Sequence, residues 1–171
     1  MSSEREFVAA TFKRHDGRII ARFVITLDYD VDEVWVTLTD AAGLAEWLAP
    51  GRIEARQGGT VRLDFPDSGI VIDSTVSEIE PWRVLEYSWS KAGEPLRPIR
   101  FMLESAGAGT TLTLTLSVPG AEDAGRTAAG WAAHLEMLAA ALAGAPIPFP
   151  FEVFKTAREA YRAQLASDQP V

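Results

Sequence analysis

The 171-residue sequence has no cysteine, no asparagine and only two histidines, His15 and His134. Without cysteine there can be no disulfide-stapled scaffold, no thiolate nucleophile and no thiolate metal site. Without asparagine there is no N-glycosylation sequon. Two histidines cannot build a His-rich zinc site, and no acidic motif suggests an all-carboxylate one, so neither a metal nor another cofactor is expected. Long apolar runs are missing too. The longest lies near residues 137–143, far short of the roughly 20 residues a spanning helix needs, so no membrane insertion is expected. The start, Met1-Ser-Ser-Glu-Arg-Glu6, lacks the basic flank and apolar stretch of a signal peptide, which points to the cytoplasm. Basic residues are in deficit, with 16 Lys and Arg against 24 Asp and Glu and a net charge of −8. Such a surface repels phosphate backbones, and the arginines are scattered singly, so no nucleic-acid partner is expected.

The chain does have a 47% hydrophobic content, enough to build a core, and a length suited to one domain. In residues 19–28, Phe23, Ile25 and Leu27 alternate with Arg22, Thr26 and Asp28, which predicts a strand. A partner strand at residues 7–12 would pair with it through His15-Asp16-Gly17, where Asp-Gly is a hairpin signal. Asp30, with Glu33 three residues later, opens an apolar series at Val31, Val34, Trp35 and Leu38. This predicts a capped helix at 31–38, followed by a second at 41–48 that ends at Pro50-Gly51. Six strands are then predicted at 52–56, 60–65, 70–79, 84–90, 99–104 and 111–118, separated by Gly and Pro punctuation and antiparallel by default. Leu85, Tyr87 and Trp89 alternate with Glu86 and Ser88, so each strand should carry one apolar and one wet face.

A sheet with one apolar face needs a cover. Trp131, Leu135, Leu138 and Leu142 supply it as one stripe on an Ala-rich helix at 122–143. Residues 145–150 form a Pro-containing connector, and a last helix at 151–165 packs back on the body or against a second copy as a homodimer. The whole chain, 1–171, reads as a single domain with its core at about 19–144.

This order of elements resembles the α+β helix-grip fold of the START and birch-pollen-allergen superfamily, in which a curved antiparallel sheet wraps a long C-terminal helix. Asp32-Glu-Val-Trp35, Leu44-Ala-Glu-Trp47, Leu85-Glu-Tyr-Ser-Trp89, Gly109-Thr-Thr-Leu-Thr-Leu-Thr115 and Gly130-Trp-Ala-Ala-His-Leu135 are similar to one branch of it. That branch is the family homologous to the activator of heat-shock-protein-ninety ATPase. Two features depart from it: Trp47-Leu48 where many members have paired tryptophans, and Asp30-Val31 where a proline often precedes the first helix.

The resemblance implies a cavity between the concave face of the sheet and the long helix. Its candidate lining is Trp47, Tyr87, Trp89, Phe101 and Trp131, large stiff rings of which Tyr and Trp keep a polar handle. Leu135 and Leu138 join them from the helix, although any α+β sandwich would bury such leucines as core. His134 falls on the edge of the helix stripe. It is either a polar contact at the pocket rim or a partly buried histidine bonded to backbone or water. No second titrating group can be assigned to it, so no catalytic residue is named. Three functions follow in order. The first is non-catalytic binding of a small apolar or amphipathic, lipid-like molecule. The second is a small cyclase- or hydrolase-type enzyme using His134 or Tyr87. The third is a stress-response domain with a chaperone partner, whose ATPase it stimulates.

Overall fold

The structure is a computed structural model that describes residues 7–167. The first hairpin joins β1 (Thr11–His15) and β2 (Arg18–Leu27) through Asp16 and Gly17, at φ 50° and 74°. A two-residue turn of this kind needs left-handed backbone at both positions, which is why Asp-Gly serves here. The first strand therefore lies at residues 11–15 and not at 7–12. With His15 paired to Arg18, it must run right up to the turn.

Two short helices follow, α1 (Val31–Thr39) and α2 (Ala41–Trp47). The Asp30 carboxylate accepts the backbone N–H of Glu33 at 2.9 Å, as the cap pattern predicts. Val34, Trp35 and Leu38 face inward from α1. The meander comprises β3 (Gly51–Ile53), β4 (Thr60–Phe65), β5 (Ile70–Glu80), β6 (Val84–Ser88), β7 (Pro98–Ala106) and β8 (Gly109–Pro119). The eight strands form one antiparallel sheet in the order β1-β2-β8-β7-β6-β5-β4-β3. A bulge between Val76 and Glu78 breaks the register of β5 and bends it.

Two strands are shorter than expected. β3 stops at Ile53 because the 54–59 segment closes on itself, with Gly59 N–H donating to Arg56 C=O at 2.8 Å. β6 stops at Ser88, and Ser88 and Ser90 are buried rather than wet. Ser90 donates its hydroxyl proton to the Pro95 carbonyl at 2.7 Å, so the 2.7 Å contact between the two hydroxyls must be donated by Ser88. Ser88 Oγ also accepts the N–H of Arg97 at 2.8 Å. The two serines thus tie the 91–97 loop to the end of the strand, and both hydroxyl protons are committed.

α3 (Ala124–Leu142) is capped by Asp123, whose carboxylate accepts Arg126 N–H at 3.0 Å. It lies on the concave face and buries Trp131, Leu135 and Leu138 against Phe101, Leu112, Leu114 and their neighbours. This is the expected helix-grip arrangement. The last helix, α4 (Phe151–Ser167), packs back on the body. Tyr161 donates its hydroxyl proton to the Val8 carbonyl and meets Phe7, Phe12 and Phe23 edge-on at 5.5, 5.6 and 6.2 Å. Arg162 pairs with Asp123, and Gln164 donates to the Ala10 carbonyl at 2.9 Å. α4 therefore closes the β1–β2 end of the grip.

Candidate ligand-binding cleft

At the opposite end, where α3 faces β4, β5 and the end of β6, a cleft of about 560 Å³ opens, with Phe154 of α4 in its lining. Phe65, Ile70 and Ile72 contribute from β4 and β5, and Trp89 from just beyond β6. Trp89 is half-buried and stands edge-on to Trp131 at 4.7 Å. From α3 the wall is Thr127, Gly130, Trp131 and His134, spaced i, i+3, i+4 and i+7 and so on one face of the helix.

Of the residues read from the sequence as ligand contacts, Trp89, Trp131 and His134 line this cleft. Trp47, Phe101, Leu135 and Leu138 lie in the core beneath it. Trp47 donates its indole N–H to the Thr37 carbonyl at 2.9 Å, which ties α2 to α1. Tyr87 is buried with its ring stacked on Phe101 at 6.2 Å, and it borders a separate depression of about 350 Å³ by the 91–98 loop. Burial pushes the Tyr87 phenol well above its usual range, so it stays protonated.

Most of the remaining lining was not among the sequence candidates, Phe65, Phe154 and Gly130 included. Phe65 and Phe154 looked like ordinary strand and tail residues, and only the closing of the chain brings them to the cleft. Gly130 had a signal, since an isolated glycine in an Ala-rich helix costs about 0.5–1 kcal/mol relative to alanine and asks for a reason. A Cβ placed at Gly130 meets nothing within 4 Å, so packing within the protein is not that reason.

The mouth is charged. Arg97 holds Glu122 through Nε and Nη2 at 2.8 and 2.7 Å and reaches Glu94 at 3.4 Å. Hydrogen bonding from Arg97 keeps the Glu122 carboxyl below its ordinary range. Lys91 and Arg126 complete this rim.

His134 sits among rings, with Phe149 at 5.4 Å, Trp131 at 5.8 Å, Phe65 at 6.2 Å and Trp47 at 6.4 Å between centroids. Its Nδ1 lies 3.1 Å from the Trp47 carbonyl at the end of α2, one of the carbonyls that a helix C-terminus leaves unpaired. Loss of hydration among these rings pushes the imidazole pKa down to about 4, against the smaller upward pull of the carbonyl. The ring is neutral at pH 7. A carbonyl only accepts, so the proton sits on Nδ1 and Nε2 keeps a lone pair.

The sequence model of the family described as activator of Hsp90 ATPase homolog 1-like protein matches residues 28–143. The chain belongs to that family. The matched segment runs from α1 through α3 and carries most of the cleft, while β1, β2 and α4 lie outside it. No curated protein matches the chain in sequence. Among solved structures, a conserved protein of unknown function from Enterococcus faecalis is 20% identical, with a TM-score of 0.79 over 94% of this chain and 92% of its own. A protein from Bordetella parapertussis is 33% identical, with a TM-score of 0.68 over 95% of this chain and 94% of its own. DynU16, a protein of the dynemicin biosynthetic locus, is 30% identical, with a TM-score of 0.67 over 77% of this chain but 49% of its own. Among the described residues no helix is long and apolar enough to cross a membrane.

Proposed function

We propose that this protein binds one small apolar or amphipathic molecule in the cleft, as a carrier or sensor and not as a catalyst. The observation that carries the reading is Gly130. It sits mid-helix on the cleft wall, at a cost to helix stability, and beyond its Cα the space is open. A ligand lying against the α3 backbone at that point gives the glycine its reason. The aromatic floor of Trp89 and Trp131 and the charged mouth suit a molecule with an apolar body and a polar end. The presence of a relative in a biosynthetic locus is in keeping with a small-molecule ligand.

Two features speak against acid-base catalysis. His134 leans on a backbone carbonyl, with no carboxylate to orient it, and an imidazole with a pKa near 4 is a weak base at pH 7. Tyr87, the other candidate, does not line this cleft. Stimulation of a chaperone ATPase, the activity that the family's description prints, remains a separate reading for which the cleft is not needed.

The test is to fill the space. Gly130→Leu should leave the melting temperature unchanged or higher and should abolish quenching of tryptophan fluorescence by a naphthalene-sulfonate probe that quenches the wild type. If the variant binds the probe with undiminished affinity, the cleft is not the site.

A further inference from the structure

We infer that the ligand presents a hydroxyl or N–H group to Nε2 of His134, next to an apolar ring system lying over Gly130. This rests on the cleft reading above and deepens it. Gly130 and His134 are four residues apart on α3, one turn, so their positions sit one above the other on the cleft face. The Trp47 carbonyl holds the ring through Nδ1 and fixes which nitrogen is left to accept. Among the described residues Nε2 makes no hydrogen bond, and His134 lines the cleft. The depressed pKa keeps that lone pair available at neutral pH.

Of the other polar groups of the wall, Arg97 is committed to Glu122 and Glu94, Lys91 and Arg126 only donate, and the hydroxyls of Ser68 and Thr127 both donate and accept. Among the described residues, His134 Nε2 is thus the one neutral side-chain group there that only accepts. A neutral acceptor beside an aromatic floor selects a phenol-like or enol-like donor over its ether. A site built to accept a hydrogen bond also loses affinity for an analogue that cannot donate one.

The experiment compares 2-naphthol, 2-methoxynaphthalene and naphthalene by titration against the wild type, His134→Phe and Gly130→Leu. The wild type should bind 2-naphthol about fivefold more tightly than 2-methoxynaphthalene, the worth of one neutral hydrogen bond of about 1 kcal/mol. His134→Phe should bring the ratio to about one, and Gly130→Leu should abolish binding of all three. Because His134→Phe also removes the bond to α2, a wild-type measurement stands beside it. In ¹⁵N NMR the Nε2 resonance of His134 should move on adding 2-naphthol and stay in place with 2-methoxynaphthalene. Equal affinities, a preference that survives His134→Phe, or an unmoved Nε2 resonance would overturn the donor inference while leaving the cleft standing. Binding that is indifferent to Gly130→Leu, or no binding of any of the three up to their solubility, would overturn both.

Discussion

Five residues apart on α3, Gly125 and Gly130 face opposite situations. A Cβ at Gly125 would lie 2.7 Å from Arg162 Cγ and 3.2 Å from the Arg162 backbone nitrogen, so glycine there lets α4 dock closely. A Cβ at Gly130 would meet nothing. The same contrast runs through the two ends of the grip. Near β1 and β2, α4 seats Tyr161 among three phenylalanines and leaves Ala157 and Tyr161 buried. Near β4 and β5, α4 contributes only Phe154 to the lining and the space stays open. One end is filled by the protein's own side chains, and the other keeps aromatic surface for something else. Absence of a side chain thus carries opposite meanings, and only the neighbour across the gap tells them apart.

The comparison breaks most severely at Trp131, which touches both the cleft and the core through Trp89 at 4.7 Å and Phe101 at 6.0 Å. Trp131→Ala should cost about 3–5 kcal/mol in chemical denaturation. If ligand affinity, corrected for the unfolded fraction, is unchanged, Trp131 is core alone.

The next effect is on pH dependence. An unfolded histidine titrates near 6.5, whereas folded His134 titrates near 4. Between those values the unfolded chain takes up a proton that the folded chain refuses. Stability therefore falls as pH drops from about 6.5 toward 4, by about 3 kcal/mol at most, and levels off below. Denaturation midpoints of His134→Phe across this window should show a correspondingly flatter slope. The charged groups in the same cleft, Lys91, Glu94, Arg97, Glu122 and Arg126, remain in that variant. Glu122 and Asp123, whose carboxyls are held down by Arg97 and Arg162, add their own loss only below their ordinary range, as pH falls through their lowered values.

The smallest effects sharpen the contrast best. Gly125→Ala should destabilise by about 1 kcal/mol, because the α4 backbone must yield by a few tenths of an ångström. Gly130→Ala should stabilise by about 0.5–1 kcal/mol from helix propensity while weakening ligand binding. Thermal melts of the pair decide the matter. If both substitutions move stability in the same direction, the two glycines are not doing different jobs.

Much of the fold was legible in the sequence because it rests on local periodicity. Asp30 and Asp16-Gly17 act where their side-chain and backbone chemistry predicts, and the Trp131, Leu135 and Leu138 stripe meets the sheet as its spacing requires. The candidate site was legible only in part. Trp89, Trp131 and His134 reach the cleft, but Trp47, Phe101 and Leu138 carry the same apolar signature and are core. Periodicity tells which face of an element points inward. It does not tell whether the interior at that point is occupied.

By itself, then, the sequence determined the succession of helix and strand periods, the caps and the hairpin turn, since each depends on residues a few positions apart. The docking of α4 over β1 and β2, the burial of Ser88 and Ser90 under the 91–97 loop and the open space above Gly130 were decided by the tertiary structure. They depend on contacts between residues far apart in the chain, such as Gly125 with Arg162 and His134 with Trp47, and no local pattern encodes the distance between them.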